Sequence, residues 1–272
     1  EEAHVGLWCI MSSPLLIGCN LENMPDSSLE LLTNKELISL NQDPLGLQAY
    51  VAQHENEGYV LVKDIEQKRG NVRAVALYNP SDTICSFSVP FSSLEFGGNV
   101  KVRDLVKHSD LGNFSGTFEQ TLPAHSAMFL RIEGETRLEP TLYEAEWAYL
   151  PLFNDLGKNP KGIIYAHDKE ASGKMKVGFL GGQPENYAEW REVYSENGGR
   201  YDMTIHYLYG KGRQIELDVN GIITKIDSLG KDNGHNQITV PVELKAGYNT
   251  IRMGNSYNWA PDIDCFTLTK AL

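Results

Sequence analysis

Residues 72–91, VRAVALYNPSDTICSFSVPF, contain two short apolar runs separated by Asn79-Pro80, and the second alternates apolar with polar residues from Cys85 to Val89. Alternation with period two puts every second side chain on one face of a strand, and Asn-Pro interrupts a strand ladder. The same grammar extends in both directions. GYVLVKDI (58–65) precedes the pair, and NVKVRDLV (99–106), GTFEQTLP (116–123) and SAMFLRIEG (126–134) follow it, with Gly-Gly and Gly-Asn at the joints. Short strands with tight connections imply an antiparallel β domain over residues 47–134, a size that suits a β-sandwich.

A polar stretch with Pro140, GETRLEPT (134–141), reads as the linker, assigned to 135–141. Beyond it the strand pattern resumes in LYEAEWAY (142–149), YAEWREV (187–193), RYDMTIHYLY (200–209), RQIELDVNG (213–221), QITVPVEL (237–244), YNTIRMG (248–254) and DCFTLT (264–269). Residues 142–272 are therefore expected to form a second β-sandwich. Within it, Asn220-Gly221 is expected to form a type I′ hairpin turn, because both residues tolerate positive φ. No internal repeat relates the two β regions.

Only residues 1–46 look helical. AHVGLWCIMS (3–12) can form one buried helix face, PLLIG (14–18) reads as a strand buried on both sides, and residues 26–43 fit a helix capped by Asp26 or Ser27 that ends before Pro44. Helix, buried strand and helix make a piece of an α/β layer, which needs parallel neighbours and covering helices.

The chain has 272 residues, 24 Lys+Arg and 36 Asp+Glu, a formal net charge of -12 that disfavours nucleic acid and anionic membrane surfaces as partners. At 41% hydrophobic it has a globular composition, and its longest apolar block (6–19) is broken by Ser12, Ser13 and Pro14, so no membrane insertion is expected. Cys9, Cys19, Cys85 and Cys265 show no paired spacing, and no disulfide is assigned. The seven His lack metal-binding spacing, and His108 and His125 read as structural. The opening EEAHVGLWC has neither an initiator Met nor a signal-peptide pattern, so it reads as a fragment or a processed product.

GLWCIMSSPLLIGCNLENM (6–24) and LLTNKELISLNQDPLGLQ (31–48) resemble the α-galactosidases of glycoside hydrolase family 27, the melibiase family. VALYNPSD (75–82) and residues 102–132 resemble the antiparallel domain that follows the barrel in these enzymes. Val106 and Asn20 depart from the pattern, since the family often has an aromatic at the first and usually Asp at the second. The resemblance implies that residues 1–46 are the last helix-strand-helix unit of a (β/α)8 barrel. It also implies a retaining hydrolase of terminal α-linked galactose, secreted or periplasmic, whose catalytic carboxylates lie upstream. Glu1, Glu2, Glu22 and Asp26 read as solvated or capping groups, and no catalytic residue is assigned here. The missing barrel region and a galactose-containing oligo- or polysaccharide are the expected partners.

YEAEWA (143–148), ASGKMKVGFLGG (171–182), YSENGGRYDMTIHYLYG (194–210), ELDVNG (216–221), VELKAGYNTIRMGN (242–255) and APDIDCFTL (260–268) resemble the carbohydrate-binding modules of families 6 and 35, jelly-roll sandwiches with a structural calcium. This implies a Ca2+ site at Glu144, Glu146 and Asp264, with a backbone carbonyl from the Ser172–Lys176 loop. The two glutamates, two apart on a strand, would share a face. An acidic strand edge that discourages pairing is the alternative. For sugar, NSYNWAPD (255–262) offers Trp259 as a stacking ring and Asn258, Tyr257 and Asn255 beside it, with packing under the loop as the alternative for Trp259. Trp190, Tyr187 and Trp147 read as packed. A lectin-like protein without turnover, or a non-binding spacer module, remains an alternative for the chain as it stands.

Overall fold

A computed structural model describes residues 1–18, 20–55, 57–154, 162–227, 229–230 and 232–271. The chain divides into two compact units, Glu1–Leu138 and Glu139–Leu272.

The first unit opens with three helices, α1 (Glu2–Ile10), α2 (Asp26–Leu32) and α3 (Lys35–Asn41). Eight strands follow: β1 (Tyr50–Glu55), β2 (Gly58–Asp64), β3 (Val72–Asn79), β4 (Cys85–Pro90), β5 (Phe96–Asp104), β6 (Ser109–Ser115), β7 (Thr117–Leu122) and β8 (Ser126–Arg137). Six form an antiparallel sheet in the order β1-β2-β3-β8-β5-β6, while β4 and β7 pair separately. The two layers enclose a core that includes Val60, Val75, Leu77, Phe87, Phe118 and Leu130.

The larger sheet is buried on its other face too. There Cys9, Ile10, Leu37 and Leu40 of the helices pack on Ala74, Ala76 and Phe129. This explains why β3 reads as a nearly unbroken apolar run rather than a clean alternation. Contact is closest at Gly6, where a Cβ would lie 2.1 Å from the Phe129 ring. Lys63, 1% exposed, donates from Nζ to Leu40 O, Leu47 O and Ser12 Oγ, joining the helical segment to β2.

Three expectations are corrected in this unit. The helix expected across residues 26–43 is two helices, because Asn34 turns its side chain onto the backbone. Its Oδ1 accepts from Glu36 N and Leu37 N while Nδ2 donates to Leu105 O. Asp26 is the first residue of α2 rather than its cap. Asn34→Ala is expected to cost about 1–2 kcal/mol in urea unfolding, the usual cost of losing an N-cap.

The buried strand expected at 14–18 is absent. That segment pairs with nothing in the described sheets, and Leu16 and Ile17 are 82% and 59% exposed. A two-faced strand needs parallel neighbours, and every described sheet of this unit is antiparallel.

The expected linker at 135–141 is also shorter than assigned, since β8 runs on to Arg137, which pairs with Phe96. Arg137 Nη2 sits 2.9 Å from both Asp64 and Glu95, beside the buried Arg73. Burial opposes ionisation of these carboxyls, but Arg73 and Arg137 outweigh it and hold both below the usual range.

The second unit has β9 (Leu142–Glu144), β10 (Ile164–His167), β11 (Met175–Gly178), β12 (Tyr187–Ser195), β13 (Gly199–Leu208), β14 (Ile215–Val219), β15 (Ile222–Ile226), β16 (Asn236–Leu244), β17 (Gly247–Gly254) and β18 (Asp262–Lys270). One sheet runs β10-β11-β18-β13-β16 with β9 also paired to β18, and the other runs β12-β17-β14-β15. They share a core containing Trp190, Met203, Leu217, Ile251 and Phe266, which makes the unit a β-sandwich. The Asn220-Gly221 turn has φ of 54° and 91° and closes the β14–β15 hairpin at Val219–Ile222.

Cys9, Cys85 and Cys265 are buried, and Cys19 lies outside the described residues. Among the described residues no helix is long and apolar enough to cross a membrane.

Candidate metal and carbohydrate sites

β18 pairs with β9 so that Cys265 stands opposite Glu144. On the other side it pairs with β13 through a register shift: Ile263 faces Tyr207 and Cys265 faces His206, leaving Asp264 as the extra residue. A bulge of this kind re-aims side chains. Ile263 and Phe266 are both in the core, and the carboxylate of Asp264 joins Glu144 and the Cys265 thiol, with one ligand atom from each within 4.8 Å of the others.

The geometry brings together all three sequence-assigned acids, although not as expected for the glutamates. β9 ends at Glu144, and Glu146 sits in a one-turn helix, Ala145–Trp147, so the two are not alternate residues of one strand. Their shared neighbourhood is visible at Gly173, whose φ is 58°. A Cβ there would meet Glu146 Oε1 at 2.7 Å and Glu144 Oε1 at 3.8 Å.

The Ser172–Lys176 loop approaches the cluster with donors. Ser172 N–H donates to Asp264 Oδ1 (2.9 Å) and Ser172 Oγ to Glu144 Oε1 (2.5 Å). These leave Glu144 Oε2 and Glu146 Oε2 buried without a hydrogen-bond partner. Burial, with the charge of Asp264 behind it, pushes Glu144 up to about 7, and burial with the charges of Glu144 and Asp264 behind it pushes Glu146 up to about 8. Burial also pushes Asp264 up to about 6. Oxygens that are buried, unpaired and crowded with like charge fit the donor set of a hard divalent cation.

Sequence reasoning missed Cys265. Strict alternation puts residues 264 and 265 on opposite faces, and only the bulge unites them.

The loop between β17 and β18 separates the four residues assigned to sugar. Asn255 is only 5% exposed, and its Oδ1 accepts from Tyr257 N and Asn258 N. Its side chain is turned onto the backbone of the loop itself. Asn258 is exposed. Tyr257, 78% exposed, lies toward β15, with Lys225 Nζ 5.5 Å from its ring. Trp259, 46% exposed, instead bridges to Gly181 and meets Phe179 edge-on at 6.0 Å and 84°.

Phe179 is a second exposed ring that the sequence reading passed over. Its φ is 61°, a conformation costly for a bulky residue, and Asn186 Nδ2 holds its carbonyl at 2.8 Å. The signal lay in GFLGG (178–182), where an aromatic residue sits among glycines. Trp190 is 4% exposed in the core, where its indole N–H donates to Glu144 O.

Two family models match the chain. Residues 1–43 match "Alpha galactosidase A" and residues 56–132 match "Alpha galactosidase C-terminal beta sandwich domain". α-Galactosidase 3 of Arabidopsis thaliana is 38% identical over 46% of this chain and 29% of its own length, so the chain spans under a third of that relative. Among solved structures, an isomalto-dextranase from Arthrobacter globiformis covers 98% of the chain and 47% of its own, at 18% identity and a TM-score of 0.55, a likeness of fold alone. A family 35 carbohydrate-binding module from Clostridium thermocellum covers 47% of this chain and 97% of its own at 28% identity, with a TM-score of 0.39 that assigns nothing. In sequence, the first half of the chain matches a C-terminal part of the family 27 α-galactosidases.

Proposed function

We propose that the chain is the C-terminal portion of a retaining α-galactosidase that releases terminal α-linked galactose, working outside the cytoplasm as a secreted or periplasmic enzyme. The ordered matches at 1–43 and 56–132 carry this reading. Residues 1–46 are then the closing unit of a (β/α)8 barrel, and the apolar side chains of Leu16, Ile17, Leu21 and Leu29, all more than half exposed, face the upstream barrel. Retaining hydrolysis needs two carboxylates about 5 Å apart, one as nucleophile and one as acid and base. Both are assigned to the upstream barrel. The test is hydrolysis of an aryl α-galactoside: this chain is inactive, and adding the upstream region restores turnover. Turnover by the 272 residues alone overturns the assignment.

The second unit, on this reading, is a jelly-roll carbohydrate-binding module that keeps the enzyme on its glycan and raises the local substrate concentration. A pyranose stacks its C–H face on Trp259, Asn258 offers hydroxyl contacts, and Phe179 braces the indole edge-on. Glu144, Glu146 and Asp264 hold a structural Ca2+, which ties β9 to β18 and neutralises their charge. The two orphaned glutamate oxygens support this assignment.

Trp259→Ala is expected to abolish retention on a galactose-bearing glycan in affinity electrophoresis, while the exposed Tyr257→Ala weakens it less. Unchanged retention in Trp259→Ala removes the stacking site and leaves the spacer alternative.

A further inference from the structure

Two loops of the second unit carry the Phe179–Trp259 pair, and one buried amide ties the first of them down. Asn186, 1% exposed, donates from Nδ2 to Phe179 O (2.8 Å) and to Gly181 O (2.6 Å), while its own carbonyl accepts from Gly181 N (2.8 Å). Leu180, between those two carbonyls, is fully buried in the core. Phe179 and Gly181 on either side of it take positive φ, 61° and 92°, an uncommon backbone path that leaves Phe179 exposed next to a core residue.

The loop pinned in this way holds the other one. Gly182 N–H donates to both Asn255 O and Asn258 O, Ala260 N–H donates to Leu180 O, and a Cβ on Gly181 would strike Asn258 O. Asn186 Oδ1 is buried without a partner, so the contribution of this side chain lies in its two donated bonds.

We propose that Asn186 is the positioning residue of the sugar site: it touches no sugar, and its two donors fix the edge-on geometry of Phe179 against Trp259. This role rests on Trp259 as the stacking ring. Asn186→Asp keeps the shape and removes both donors; Asn186→Ser replaces them with one shorter hydroxyl, adds no buried charge, and carries the same comparison should the first variant not fold.

Hydroxyl-radical footprinting of the full chain, read by mass spectrometry well below its melting temperature, needs no sugar. Oxidation of Phe179 and Trp259 is expected to rise severalfold in the variants, with the core residue Trp190 unchanged. Unchanged rates at both rings overturn the proposal, and so does a rise that Trp190 shares, which marks Asn186 as a support of the core alone. In affinity electrophoresis on a galactose-bearing glycan, the variants are expected to bind about tenfold more weakly. Full retention in the Asn186 variants, where Trp259→Ala has lost it, overturns this proposal and leaves the stacking ring standing. Retention that survives in Trp259→Ala removes the stacking ring and this proposal with it.

Discussion

Calcium is expected to raise the melting temperature of the second unit, and the increment is expected to grow as pH rises from 5 to 8. Without a cation, Glu144, Glu146 and Asp264 are pushed up to about 7, about 8 and about 6 by burial. Carboxyls raised above their unfolded values leave the native state holding more protons than the unfolded one across that window. The stability they contribute is complete below the unfolded carboxyl range and disappears as pH climbs through the native values. The cation-free unit therefore loses stability progressively between pH 4 and 8.

A bound calcium ion reverses that trend, because ionised oxygens are what it requires. At a free concentration one hundred times its dissociation constant it adds about 2.7 kcal/mol, or on the order of 10 °C for a unit of this size. Calorimetry with calcium or chelator, at pH 5 and pH 8, reads both effects. A cation-free unit whose stability rises with pH, or a calcium increment that shrinks, contradicts the assignment.

The second large effect is expected at Gly6. The Cβ of any larger residue falls 2.1–2.5 Å from three carbons of the Phe129 ring, and that ring is fully buried between the helices and β8. Gly6→Val therefore forces α1 off the sheet or Phe129 out of its place, at a cost of about 3 kcal/mol or more in denaturant unfolding of the first unit. Helix propensity works in the opposite direction, since Gly is the poorer helix former by about 1 kcal/mol against Ala, so Gly6→Ala separates the two terms. Phe129→Leu combined with Gly6→Ala is expected to recover part of the loss. Strict additivity of the pair would show that the two residues do not meet.

Most of the first unit was legible because its strands carry apolar runs bounded by Asn-Pro, Gly-Gly or Gly-Asn. β6, SDLGNFS, escaped notice: it is almost wholly exposed and contributes few apolar residues to any pattern. The break between α2 and α3 was hidden for another reason. Asn34 sits inside a helical pattern, and its capping role depends on Leu105, 71 residues away. In the second unit the three acids were legible through the resemblance. Their route to one another, a one-turn helix and a bulge, was not, because both devices break the period that sequence patterns rely on. A loop asparagine such as Asn255 reads the same in sequence whether it faces a ligand or its own backbone.

Lys63 has a practical consequence. Its amine is sealed at 1% exposure beneath the helical segment and holds the carbonyls of Leu40 and Leu47. An amine-directed reagent can reach it only while that segment is lifted from the sheet. Its labelling rate, read by mass spectrometry, therefore reports how often the first 46 residues open, independently of the unfolding of the strands beneath them.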